Sequence, residues 1–126
     1  VQRKFTAPTK QDPDCPERGS GTVLAAGLAL VVMTAMALLL LLAQSAVMAT
    51  RAAAAADLAA LAGADALRGV TDGDPCTVAA EVAARHAATV LSCSQGEGHT
   101  LEVMTELTER TILGTATGRA RAGPPP

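Results

Sequence analysis

The sequence predicts an α+β fold: a long N-terminal transmembrane helix that continues outside the membrane, a second helix, and a small antiparallel sheet. Three observations predict it. Residues 19–50 contain no Asp, Glu, Lys, Arg or His. The alanine-rich run from Arg51 to Arg68 holds nothing that would stop a helix before Gly69. Further on, VLSCS, TLEVMTELT and TILGTATGRARA read as three short strands.

The first 18 residues are polar and carry Pro8, Pro13 and Pro16, so residues 1–18 are expected to be a disordered tail. The apolar stretch follows. A helix of 32 uncharged residues reaches about 48 Å, whereas a bilayer core takes about 20 apolar residues, or ~30 Å. Its densest part, Val23 to Ala43, fills that span alone. Backbone polar groups in lipid must be satisfied internally, so the segment is expected to be helical. A buried core helix of a soluble protein is the bland reading, and so long a run without a charge argues against it. Residues 19–50 are therefore assigned as a transmembrane helix.

Arg3, Lys4, Lys10 and Arg18 precede the span, and only Arg51 follows it closely. Bases are retained in the cytoplasm, so the N-terminus is expected inside and residues 51–122 outside, as a small exported α+β domain. An ordinary signal peptide is the competing reading. Its apolar region should be only about 7–15 residues long, but small residues around 46–50 offer a cleavage site that would release a secreted interaction protein.

From Arg51 to Arg68 the helix continues, and its wheel separates two sides. Asp57, Leu58, Leu61, Asp65 and Arg68 share one; Ala52, Ala56, Ala59, Ala60, Gly63 and Ala66 share the other. Small residues let helix backbones approach closely. That face is expected to pack against another helix, from a second copy or a partner. Gly69 to Asp74 is a turn by composition. Asp74-Pro75 then reads as an N-cap with proline at the first helical position, opening a helix to about Thr89. Val78, Ala79, Val82, Ala83 and Val90 make its apolar face, with His86 in the middle. Gln95 to Gly98 turns between the first two strands, while the boundary between the second and third stays open. Residues 123–126 read as a disordered tail.

Cys76 and Cys93 fall on the exported side, where thiols oxidise. The intervening helix runs out about 18 Å, and four or five strand residues return most of that distance at ~3.3 Å each. A disulfide is therefore expected, worth about 3 kcal/mol in the chain-entropy view. With 28 alanines in the chain any soluble core is thin, so that term matters.

Several function classes find no support. The net charge is −2, there is no Trp or Tyr, and Phe5 is the only aromatic. Stacking surfaces for single-stranded nucleic acid need aromatics, and small-molecule pockets lean on them. No nucleophile lies beside a base, and no glycine loop suits phosphate. His86 and His99 match no zinc spacing with the cysteines. Glu97, Glu102, Glu106 and Glu109 read as a solvated strand face. The chain is read as no enzyme, with no cofactor, metal, nucleic-acid partner or small-molecule substrate.

Arg18-Gly-Ser-Gly-Thr-Val23 leads into the apolar helix, and Arg51-Ala-Ala-Ala-Ala-Ala-Asp57-Leu-Ala-Ala-Leu-Ala-Gly-Ala64 follows it. With the downstream cysteine pair and the ending Ala120-Arg-Ala-Gly-Pro124, the chain resembles the TadE/TadG-like proteins of tight-adherence (Flp) pilus assembly, particularly their actinobacterial branch. The resemblance covers most of residues 18–124. It implies a pilin-like membrane protein, a structural or assembly component of a Tad-type pilus or secretion apparatus, partnered by other pilin-like subunits through helix packing. It also implies processing after a glycine before the helix, at Gly19 or, second, Gly21. The glutamate that family members carry five residues into the mature chain is absent. That position is Leu24 counted from Ser20, or Ala26 counted from Thr22. A filament subunit and an uncleaved, anchored assembly factor both fit the resemblance.

Overall fold

The computed structural model describes residues 19–126; the tail expected at 1–18, with Cys15, lies outside the described residues. In chain order the elements are α1 (Ser20–Leu67), α2 (Pro75–Arg85), β1 (Ala88–Gly96), β2 (Thr100–Thr111) and β3 (Gly114–Ala122). This is the α+β arrangement that the sequence predicts. The chain divides into two units, Val1–Leu39 and Leu40–Pro126.

In the first unit the described residues are helical from Ser20 onward and exposed throughout. Val23, Leu24, Leu28, Leu30 and Met33 all point away from any protein core. The threonine hydroxyls turn inward to the helix: Thr22 donates to the Gly19 carbonyl at 3.0 Å and Thr34 to that of Val31 at 2.9 Å. Such back-bonding removes the donors that an apolar surrounding would penalise.

The second unit is built on the remainder of α1. Nothing breaks the helix at Arg51, because alanine costs a helix nothing in propensity. It ends in a left-handed glycine cap. Gly69 takes φ +76°, its N–H donates to the Ala66 carbonyl at 3.0 Å, and the Val70 N–H donates to Asp65 at 2.9 Å. Asp74 caps α2, its carboxylate accepting the Thr77 N–H at 3.1 Å, with Pro75 at the first helical position.

α2 stops at Arg85, four residues short of the end expected from the sequence. Ala87 adopts φ +52° and swings the chain directly into β1. A left-handed alanine gives no compositional warning, which is why the periodic pattern overran. His86 consequently leaves the middle of the apolar face: it is the exposed C-cap of α2.

The sheet has the order β1-β2-β3, antiparallel throughout. Along β2, Leu101, Val103, Thr105 and Leu107 are buried, alternating with half-buried Glu102, Met104 and Glu106. This period of two sets one face to the core and one to water. Opposite the buried row stand Ala122, Ala120 and Gly118 of β3 and Gln95, Cys93 and Val90 of β1. Glu102 and Arg119 pair on the outer face at 3.4 Å.

One expectation needs correcting. Ala52, Ala56, Ala59, Ala60, Gly63 and Ala66 do form a packing face, joined by Ala55 and Ala64, but the chain itself covers it. A Cβ on Gly63 would collide with the Leu101 side chain and come within 2.8 Å of the Pro75 carbonyl and 3.2 Å of the Ala79 Cβ. At the other end a Cβ on Gly118 would collide with the Ala52 carbonyl. The close backbone approach that the small face permits is therefore taken up by the sheet and by α2. No surface remains there for a helix from another chain.

Candidate functional surfaces

Three features of the structure bear on function: the apolar length of α1, the cysteine pair, and the end of the β2–β3 hairpin.

α1 is long and apolar enough to cross a membrane, and none of its most apolar window is buried inside the protein. The exposure continues through Leu38, Leu39, Leu40 and Leu42, and burial begins only at Ala52, with Met48 packed at the edge of the core. In water such a contiguous apolar surface would be strongly unfavourable. Ser45 and Thr50 keep the pattern of the earlier threonines, donating to the Leu42 and Val47 carbonyls, each at 2.8 Å.

Gly19 and Gly21 sit at the start of α1. A Cβ at either would meet nothing within 4 Å, and neither takes a positive φ. The fold therefore sets no steric requirement for glycine at either place.

Cys76 lies in the first turn of α2 and Cys93 on the core-facing side of β1. Their sulfurs are at bonding distance and their Cα atoms 5.9 Å apart, within the usual range for a disulfide. The register explains the meeting: Cys93 pairs with Val103, whose side chain is fully buried, so its own side chain also points toward the helices.

The charged and polar groups do not converge. Among the described residues no three His, Cys, Asp or Glu side chains are grouped as metal ligands would be. Glu97 and Glu109 are exposed; Glu106 accepts from the Thr115 hydroxyl and Glu102 pairs with Arg119. His99 sits exposed in the β1–β2 turn with φ +57°. Asp65 and Arg68 form an exposed ion pair beside the α1 cap.

TILGTATGRARA, which reads as one strand, is split in the structure: Thr111 closes β2 and pairs with Gly114, leaving Ile112-Leu113 as the turn. Ile112 is 93% exposed and Leu113 69%. Gly114, at φ +109°, was the available signal. Between Leu40–Arg51 of α1 and Glu109–Ile112 runs an open cleft of about 530 Å³, walled by Leu40, Val47, Met48 and Ile112 and rimmed by Arg51 and Arg110.

Set against known proteins, the chain finds no match: not with any family model, any curated protein or any solved structure.

Proposed function

We propose that this chain is a single-pass, pilin-like protein of the cell membrane, with its N-terminus cytoplasmic and its C-terminal domain extracytoplasmic. In this reading it serves as a structural or assembly component of a Tad/Flp-type pilus or secretion apparatus. One observation carries the reading. α1 is a single helix with a fully exposed apolar stretch at one end and, at the other, a small-residue face packed on an antiparallel sheet. Such a helix, shared by membrane and domain, is what the TadE/TadG resemblance implies. The glycines at 19 and 21 add support, since the fold itself does not call for them. Contacts with other subunits then fall on the exposed length of α1, Ser20 to Val47, because the face beyond Ala52 is filled.

The mass of the mature protein in its native membrane tests the reading. A start at Ser20 or Thr22 marks prepilin-type processing, and an uncut chain marks an anchored assembly factor. A start at 47–51 in the medium overturns the membrane reading in favour of a secreted interaction protein; the buried face begins at Ala52, so that cut would spare the core. Orientation is read from protease added to spheroplasts, which should reach the domain and spare an N-terminal tag. A protected domain would refute the N-in, C-out topology.

A further inference from the structure

The β2–β3 hairpin places two large apolar side chains where hairpins ordinarily carry Asn, Asp or Gly. Two-residue hairpin turns favour those residues because they tolerate the backbone and welcome water. Here neither Ile112 nor Leu113 takes a positive φ; Gly114 takes it instead. The backbone therefore does not dictate the apolar pair, and among the described residues none buries it.

The tip has a defined place along α1. β1 accompanies β2 only as far as Leu107, opposite Ala88. Beyond it the hairpin continues as two strands, with Arg110 facing Thr115 and Thr111 facing Gly114. β2 runs antiparallel to the outward course of α1, since Leu101 lies against Gly63 and Thr105 against Ala52. A straight strand would carry the tip about 23 Å past Thr105, and the irregularity between Glu106 and Arg110 shortens that reach. Helix rise places Leu41 about 17 Å and Ser45 about 10 Å before Ala52, and in the structure Leu41, Gln44 and Ser45 line one small cavity with Thr111, Ile112 and Leu113. Leu41 to Ser45 is where the densest apolar run, Val23 to Ala43, comes to its end. The tip is thus level with the domain-side boundary of the proposed span.

We infer that Ile112 and Leu113 are a second membrane contact: the hairpin tip enters the leaflet on the domain's side and seats its two apolar side chains among the lipid chains. The inference rests on the reading of α1 as a membrane span. The occupant is lipid because the apolar surface of α1 is continuous with the tip across the cleft. Lipid chains filling that cleft cover Leu40, Val47 and Ile112 together. Arg51 and Arg110, with the carboxylate of Glu109, line the cleft on the domain side of Met48 and Ile112, where two bases against one acid suit phosphate headgroups. A second copy of this chain covering the same surface is the rival occupant.

The test uses the full chain in vesicles of phosphatidylethanolamine and phosphatidylglycerol. In a Cys15→Ser background, which leaves Cys76 and Cys93 bonded, single labelling sites are made by Ile112→Cys, Leu113→Cys, Leu30→Cys and His99→Cys. Each takes an environment-sensitive fluorophore. At 112 and 113 the expected result is blue-shifted emission, several-fold weaker quenching by aqueous iodide than at 99, and strong quenching by nitroxides on the lipid chains. If 112 and 113 are quenched by iodide as readily as 99 while 30 is shielded in lipid, the span stands and the inference falls. If 112 and 113 are shielded from iodide but untouched by lipid nitroxides, protein covers them and the inference is overturned in favour of a second copy. Iodide reaching the label at 30 would refute the span and, with it, the tip contact.

Discussion

The Thr105 hydroxyl donates a buried hydrogen bond, 3.2 Å long, to the backbone carbonyl of Ala52. It joins the middle strand to the first fully buried turn of α1. Thr105 also pairs across the sheet with Gly118, the residue that lets β3 lie against the same carbonyl. Strand, strand and helix meet at this one oxygen. Thr105→Val keeps the volume and removes the donor, so it is expected to lower stability by about 1 kcal/mol. Denaturant unfolding in detergent should show a lower midpoint with the same slope. An unchanged midpoint would mean that the hydroxyl contributes packing alone.

Gly118→Ala is expected to cost about 1–3 kcal/mol, toward the upper end because the obstructing atoms are backbone rather than a movable side chain. The collision is with the carbonyl of Ala52, and the Ala53 nitrogen is 2.9 Å from the same point. Gly27→Ala is the matched control: nothing lies within 4 Å of it, and helix propensity favours alanine. Equal stability of Gly118→Ala and the parent would show that the strand and helix do not touch there.

Reducing the Cys76–Cys93 bond should destabilise the domain by about 3 kcal/mol, given a loop of 17 residues. The double substitution Cys76→Ser with Cys93→Ser should match the reduced parent. Alkylation and mass spectrometry of native material should leave both cysteines unmodified and two daltons light. Two alkylated thiols in the native protein would contradict the pairing.

Ala87→Gly should stabilise, unusually for a glycine substitution. Ala87 holds φ +52°. The left-handed region costs an alanine about 1–2 kcal/mol, offset in part by the greater unfolded-state freedom of glycine, about 0.5–1 kcal/mol. A net gain of up to about 1 kcal/mol is expected, seen as a rise in melting temperature. A fall would mean that the alanine Cβ makes contacts worth more than the strain.

How much of this was legible beforehand differs by element. Asp74-Pro75 announced the start of α2 and Gly69 the end of α1, because capping chemistry leaves residue-type signatures. The alternation of Leu101, Val103 and Leu107 with Glu102 and Glu106 announced both faces of β2. Ala87 was illegible, since alanine is the strongest helix former and the left-handed residue here is an alanine. Ile112-Leu113 was hidden for a related reason: both are good strand residues. The partner of the small face could not be read from a wheel at all. A wheel shows which side wants a close neighbour and not which backbone supplies it, and here Leu101 supplies it at Gly63 and Gly118 at Ala52, both from strands far along the chain.

Eleven of the fourteen residues in the core cluster are alanine. For those positions an alanine scan has nothing to remove, so the commonest survey of a protein interior would pass over this one in silence. Sensitivity runs in one direction only, toward bulk: side chains at Ala52, Ala56, Ala59 or Ala79 can grow into a neighbour but cannot shrink except to glycine. A random library of this domain should therefore show its buried alanines as a band intolerant of enlargement, with familiar large-to-small losses concentrated at Leu101, Val103, Thr105 and Leu107.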